Sequence, residues 1–468
     1  MRDVLPADQR EILRVRAALE ALVAEHGFAF LDLPIIEHRD LYMRKLGEEL
    51  VGKVYEFTYG QRELALRPEW TASVLRAYVA HLQDQPLPLR VAYSGPVFRY
   101  ERPQRLTYRQ FTQVGVELVG GPAPRADAEV LALACAGLDA VGIANYEVVI
   151  GHVGLIRAAL AGLALSERTR GILIWSMERM RQQGVDGVRA RLAASLGEAP
   201  DDFPLPDGLD DEEAAQLLLR VFRATQVDLN SGTRSPEAIV ARLLRKLQRG
   251  DEQPAIEQAL GLLAPLVSLR GAPALILPQA EALLRQHTVP IDALAELQAV
   301  LALLKAHGVR DERLVIDFGL GRGLHYYTGL IFEIYDAEQL QLVGGGRYDD
   351  LVSALGGRQA TAAAGFAYGL ERVVAAALRS AAPREAVVRE VLVAAVGESS
   401  YAYALHVANT LRQHGFVVSV DVRDRSVSSN LRDAAPPQPG LSCHRRPRGR
   451  RPVRRLSGAI WYAAEEQR

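Results

Sequence analysis

The chain has 468 residues, too many for one average domain, and 49% are apolar, enough for a large core. With 55 Lys and Arg against 56 Asp and Glu, the net charge is −1, which excludes a chain whose bulk is a basic nucleic-acid-binding surface. Two distant cysteines, Cys135 and Cys443, form no disulfide framework or metal cluster and fit a reducing cytoplasm, and no apolar run is long enough to span a membrane.

Apolar residues at Ile12, Leu13, Val15, Ala18, Leu19, Leu22 and Val23 predict an amphipathic helix over 7–27, closed by Gly27, followed by a strand over 28–36. Short apolar runs and turns alternate to about Gly121. A helix over Ala126–Ala140 and a strand over Tyr146–Ile150 come next. From about Leu155 to His307 the Leu/Ala/Arg-rich sequence has a helical period and reads as a helical insertion. An acidic, Pro-rich loop over 197–213 interrupts it. Strands are expected at Leu314–Phe318 and Ile331–Tyr335, and a helix at about Leu370–Leu378. Val391–Val396, Tyr401–His414 and Phe416–Val422 read as strand, helix and strand of a small separate α/β unit. Residues 436–468 are Pro-, Gly- and Arg-rich with little apolar period, and read as a disordered or aberrant tail that adds nothing to that unit; a basic RNA-binding arm is the minority reading.

Three segments set charged groups beside strand-like runs: Leu66–Ala72, Tyr93–Glu117, and Gly321–Gly329 with Gly365–Arg372 after it. Arg99 and Arg372 stand near glycines, and a guanidinium fork suits phosphate oxygens because it donates two hydrogen bonds in one plane. Glu69, Gln113 and Glu117 supply acceptors for an amine or an imidazole N–H. Gln113 and Glu117 are four apart, so on one strand both face the same side. Tyr326 and Tyr327 could close a pocket around a flat polar ring. Taken singly, each Arg or Glu is more simply a surface salt bridge beside a sheet; together on strand-like segments they point to a site.

These segments carry a resemblance. Phe98-Arg99-Tyr100-Glu101-Arg102-Pro103-Gln104 resembles motif 2 of class II aminoacyl-tRNA synthetases, and Gly369-Leu370-Glu371-Arg372 resembles motif 3. Arg322-Gly323-Leu324-His325-Tyr326-Tyr327-Thr328-Gly329 is similar to the histidine signature of the histidyl-tRNA synthetase family. The resemblance runs from Arg2 to about Ala435. It implies an α+β fold: an antiparallel sheet flanked by helices, with a helical insertion and a partial C-terminal α/β domain of the anticodon-binding kind. The implied divisions are a catalytic-like core in two parts (1–160, 309–382), the insertion (161–308), the anticodon-binding-like unit (387–435) and the tail (436–468).

The resemblance also implies roles. Arg99 would hold the α-phosphate of ATP, Glu101 would lie near the adenine and Arg372 would meet the terminal phosphates. Glu69 and Thr71 would bind the amino group of histidine; Gln113, Glu117, Tyr326 and Tyr327 would line its pocket. Arg322 would polarise the attacking carboxylate. Arg99, Arg322 and Arg372 are catalytic only in a synthetase, where ATP and Mg²⁺ are required; no tightly bound cofactor and no protein-borne metal site is implied. A homodimer is expected.

The sequence departs from the pattern in three places. Trp70 replaces a glycine, Leu106-Thr107 replaces Gly-Arg in the motif 2 loop, and His325 replaces aspartate. His325 reads as a pocket-lining or supporting group. Ile150–Leu160, Pro88–Tyr93 and Leu266–Leu284 are similar to a paralogous family, the regulatory subunit of ATP phosphoribosyltransferase, which supports the first step of histidine biosynthesis. Glu101, the Arg-Pro-Gln run and the α/β unit favour the synthetase instead. The lost arginine and Trp70 weigh slightly more. The sequence therefore ranks first a histidine-binding regulatory subunit that partners a catalytic ATP phosphoribosyltransferase chain. Second stands a ligase that activates histidine with ATP and charges tRNA(His).

Overall fold

The computed structural model describes residues 3–43, 48–102, 104–196, 211–224, 252–321, 326–380, 390–395, 400–423, 429 and 461–463. The chain divides into two units, Met1–Ala381 and Ala382–Arg468. Among the described residues no helix is long and apolar enough to cross a membrane.

The first unit opens with a helix, Pro6–Glu25, whose Ile12, Val15, Leu19 and Val23 are buried at helical spacing as the period demands. The expected strand over 28–36 is two short ones, β1 (Ala29–Phe30) and β2 (Ile36–His38). Pro34 lies between them and has no N–H for a ladder. The hairpin strands β3 (Glu56–Tyr59) and β4 (Arg62–Leu66) join β2 in a small sheet. The large sheet is built from β1, β5 (Leu89–Phe98), β6 (Gln110–Val119), β7 (Tyr146–His152), β8 (Arg270–Gly271), β9 (Leu314–Asp317), β10 (Leu330–Asp336), β11 (Gln341–Arg347) and β12 (Ala363–Gly369). Its order is β1-β5-β6-β12-β11-β10-β7-β9-β8. The central pairings from β5 to β7 are antiparallel, while β1 with β5 and β7 with β9 run parallel.

Strand alternation gives the sheet two unlike faces. One carries Val114, Val116, Leu118, Val148, Ile150, Phe332, Ile334 and Phe366 into the main core, under helices Pro6–Glu25, Arg125–Ala140 and Leu370–Ser380. The register puts Gly95, Gly115, Gly344, Gly346, Gly365 and Gly369 on the opposite face, with Gln113 and Glu117 among them. A face of glycines lets Trp70, Tyr93, Tyr327 and Glu117 lie close against the sheet, and there the site lies.

The expected insertion is helical: Glu167–Ile174, Met177–Leu196, Asp211–Ala224, Gln253–Val267, Pro273–Gln286 and Asp292–Ala306. It also lends β8 to the sheet. Most of the acidic loop, 197–210, lies outside the described residues. The Gly151-His152-Val153-Gly154 element is a turn from strand to helix. His152 accepts the amide of Leu155 at 3.0 Å on Nδ1, capping helix Val153–Ala161, and its Nε2 stands 3.4 Å from Glu296.

In the second unit β13 (Glu390–Ala395) and β14 (Val417–Val420) are parallel and joined by helix Tyr401–Gln413, as expected. Contrary to expectation, the tail completes a three-stranded sheet: β15 (Trp461–Ala463) pairs in parallel with β13 on the side away from β14. The run Trp461-Tyr462-Ala463 carries the aromatic residues that strands favour. The rest of the tail lies outside the described residues.

Candidate functional site

The site begins with the turn that follows β4. Pro68 and Glu69 lead into helix Thr71–Ala77, and Glu69 Oε1 accepts the amide of Ala72 at 2.9 Å, so the carboxylate satisfies the open start of the helix. Glu69 Oε2 is buried and accepts no hydrogen bond. Burial raises the Glu69 carboxyl above its ordinary value, and the nearby Arg99 charge partly opposes this.

Glu117 is the centre of a buried polar cluster. It is 0% exposed, on β6 over the glycine face. Three hydroxyls converge on it. Thr71 donates to Oε1 at 2.7 Å, Tyr93 donates to Oε1 at 3.1 Å, and Tyr348 donates to Oε2. Gly365 lies opposite Glu117 in the ladder, and a Cβ there would collide with Oε2. Burial pushes the Glu117 carboxyl well above its ordinary value, and the Glu69 charge adds to the push. Two buried carboxylates at close quarters are a destination for positive charge or for N–H donors.

Gln113 shares the face with Glu117 two residue pairs along β6, as the even spacing predicted. Its Oε1 is buried without a hydrogen-bond partner. Tyr326 and Tyr327 are both buried, with ring centroids 4.9 Å apart, and Tyr326 meets Tyr348 edge-on at 5.7 Å. Tyr326 therefore stands beside the Glu117 group. Tyr327 also lines a separate cavity of about 10 Å³ with His152, Trp175 and Phe318. Thr71 is assigned by resemblance to an amino group, yet its proton goes to Glu117, which leaves its lone pairs for an incoming ammonium.

The second part of the site is a cavity of about 110 Å³. Arg99, Glu101 and Arg372, the three residues given nucleotide roles, all line it, and Gln113 does so too. Arg99 is steered by Pro68, whose carbonyl accepts from Nε at 2.8 Å, and its guanidinium lies 5.2 Å from the Phe111 ring centroid. Arg372 donates to the carbonyls of Leu106 and Gln341, at 3.2 Å each. Burial lowers its pKa, yet arginine stays charged there. Glu101 stands 3.3 Å from Lys53. Among the described residues no group of three or more His, Cys, Asp or Glu could hold a metal ion.

Arg322 and His325 lie outside the described residues. Sequence reasoning gave no role to Tyr93, Tyr348 or Phe111. Tyr93 and Phe111 could have been found by counting in twos from Gly95 and Gln113. Tyr348, in Gly344-Gly345-Gly346-Arg347-Tyr348, comes to Glu117 from a distant part of the chain, and no spacing signals that.

A nine-stranded sheet with an antiparallel centre, glycine-faced toward paired arginines and buried acceptors, defines a class II aminoacyl-tRNA synthetase core. The family model described as histidyl-tRNA synthetase matches residues 1–199 and 214–373. The chain belongs to that family. A histidine–tRNA ligase of Methanosarcina acetivorans is 32% identical over 434 residues, 92% of this chain and 86% of its own length. One from Methanococcus vannielii is 27% identical over 435 residues, covering 92% and 87%. Among solved structures, an ATP phosphoribosyltransferase regulatory subunit/histidyl-tRNA synthetase from Bacillus halodurans superposes with a TM-score of 0.65. It has 23% identity, over 92% of this chain and 94% of that one. A histidyl-tRNA synthetase from Nostoc gives 0.64 at 20% identity, over 92% and 87%. At those identities the likeness concerns the fold.

Proposed function

We propose that this chain binds L-histidine against Glu69, Thr71, Gln113 and Glu117 and activates it with ATP, with tRNA(His) as the final acceptor. The observation that carries the reading is the convergence of Arg99, Glu101 and Arg372 on one cavity, which is also lined by Gln113, on the same face of β6 as Glu117. The α-ammonium of histidine would offset the buried charge of Glu69, and an imidazole N–H would donate to Glu117. Arg99 sits between the two parts: its charge is felt at Glu69 and it lines the cavity. There it can hold the α-phosphate while a carboxylate oxygen attacks phosphorus and pyrophosphate leaves. The protein contributes alignment and preset positive charge, which in such sites are the main sources of rate. Mg²⁺ bound with the nucleotide would supply further neutralisation of phosphate charge.

A second reading keeps the histidine pocket and drops the chemistry: a regulatory subunit that senses histidine for a catalytic ATP phosphoribosyltransferase chain. Trp70 in place of glycine and Leu106-Thr107 in place of Gly-Arg favour it, and on sequence alone it ranks first. It calls for no nucleotide chemistry in this chain, and the convergence of Arg99, Glu101 and Arg372 on one cavity supports placing the ligase first. Histidine-dependent exchange of labelled pyrophosphate into ATP separates the two. Steady exchange supports the ligase. Histidine binding by calorimetry with no exchange defeats it and leaves the regulatory role.

A further inference from the structure

The site as described uses Glu69 and Thr71 and leaves the residue between them, Trp70, without a task. Its indole is 1% exposed and lies on the glycine face of the sheet. It stacks on Tyr93 with ring centroids 4.9 Å apart and planes inclined by 10°. The Arg67 guanidinium lies 3.5 Å from the indole centroid, and the indole N–H donates to the carbonyl of Gly95 at 3.3 Å. Arg67 is itself held by the carbonyls of Pro96 and Leu33, both at 2.8 Å. A Cβ on Gly95 would stand 2.8 Å from the indole, so the strand beneath accepts the indole only because it carries glycine there.

The indole is thus fixed by cation–π contact, by stacking and by a hydrogen bond. It fixes the ring of Tyr93 in turn, and the hydroxyl of that ring donates to Glu117. We propose that Trp70 is a positioning residue: it locks Tyr93 so that the Tyr93 hydroxyl holds the Glu117 carboxylate in the orientation that receives the amino acid. On this account Trp70 does not obstruct the pocket where a glycine would leave it open; it stiffens the acceptor from outside. The inference rests on the reading that Glu117 receives L-histidine.

The test is a double-mutant cycle on the full chain, read by calorimetric titration with L-histidine and by thermal melting. Trp70→Leu and Tyr93→Phe should each weaken binding about tenfold, about 1.4 kcal/mol. The double variant should be no weaker than the worse single variant, because both remove one constraint. A purely structural Trp70 would lower the melting temperature and leave the affinity of the folded protein unchanged; that result, or penalties that multiply to about a hundredfold, overturns the proposal. Should Trp70→Leu fail to melt cooperatively, Trp70→Phe replaces it. It keeps a ring and loses the bond to Gly95, and a loss of about threefold should vanish in the Tyr93→Phe background; persistence of that loss overturns the proposal equally. Wild-type protein that gives no heat with L-histidine defeats the functional reading and this inference together, whereas normal wild-type binding with an additive cycle defeats the inference alone.

Discussion

The buried acid cluster and the arginine-lined cavity lie on one sheet, with Gln113 on the cluster's face and in the cavity's wall, yet they are built on opposite plans. The pocket is made of acids that are buried and already bonded: three hydroxyls meet on Glu117, one amide on Glu69. The cavity is made of arginines steered by carbonyls: Pro68 for Arg99, Leu106 and Gln341 for Arg372. A side-chain network sets the geometry of a buried acid finely and leaves little to move. A backbone carbonyl aims a long cationic side chain and still lets it follow a phosphate. The departures from the family pattern divide the same way. Trp70 tightens the network on one side; Leu106-Thr107 removes a cation on the other.

The strongest test of the pre-built pocket is its anchor. Arg347 and Asp127 are buried together, with Arg347 Nε 3.0 Å from Oδ1, and Arg347 also bonds Asp349 and the carbonyl of Gly121. This fixes the strand end that carries Tyr348. Arg347→Met leaves Asp127 buried and unpaired, and should cost about 3–5 kcal/mol in urea unfolding. A loss below about 1 kcal/mol would mean that the pocket is not held in this way.

On the other side, Arg99→Ala should lower histidine-dependent pyrophosphate exchange by about 10²–10³-fold, the usual effect of removing one preset donor to developing charge. L-Histidine affinity should stay within about threefold. A large loss of histidine binding would show the two halves to be one.

The converse variant, Glu117→Gln, should weaken L-histidine binding by about 10–100-fold, as expected where the bound amino acid draws Glu117 into its carboxylate form and makes one charge-assisted contact with it, and leave nucleotide binding intact. It also carries a pH signature. Burial raises the Glu117 carboxyl above its ordinary 4.5, so the folded chain holds a proton that the unfolded chain has already released. The unfolded state then binds fewer protons, and unfolding free energy falls as pH rises from that ordinary value through the raised one. Glu69 contributes in the same direction. Urea unfolding of the ligand-free protein between about pH 5 and about pH 8 should show this decline, and Glu117→Gln should flatten it in part. An unchanged slope would place the titrating group elsewhere.

Much of this was legible in the sequence because strands and helices print their periods. The Leu314 strand ends at Asp317, the Ile331 strand gains a residue at each end, and the helix from Leu370 runs to Ser380, each within two residues of the expected bounds. The shared face of Gln113 and Glu117 follows from parity alone. Partners across the sheet did not follow. Tyr348 reaches Glu117 only because β11, β12 and β6 are neighbours in that order, a fact of topology that no local window contains. The tail failed for the opposite reason: in β15 a short aromatic run is submerged in a segment of Arg, Pro and Gly, and composition outvoted it.

The smallest expected effect bears on the arginine-lined cavity. Leu106 has φ +58°, the left-handed region that favours glycine, at the position where the family pattern has glycine. The motif 2 loop has therefore kept the bend after losing the residue that makes the bend easy. The geometry is held from outside: Arg372 Nε donates to the Leu106 carbonyl, and Gln104 pairs with Thr107 across the turn. A side chain in this conformation costs about 1–2 kcal/mol. Glycine relieves that and gives back about 0.5–1 kcal/mol through the freer unfolded chain. Leu106→Gly should thus stabilise the protein by about 0.5–1 kcal/mol in urea unfolding, with the bond to Arg372 intact and histidine binding unaltered. Destabilisation instead would show that Leu106 contributes more by its packing in the cavity wall than its backbone loses. The cavity would then be held by its side chains after all, and the contrast between the two halves would close.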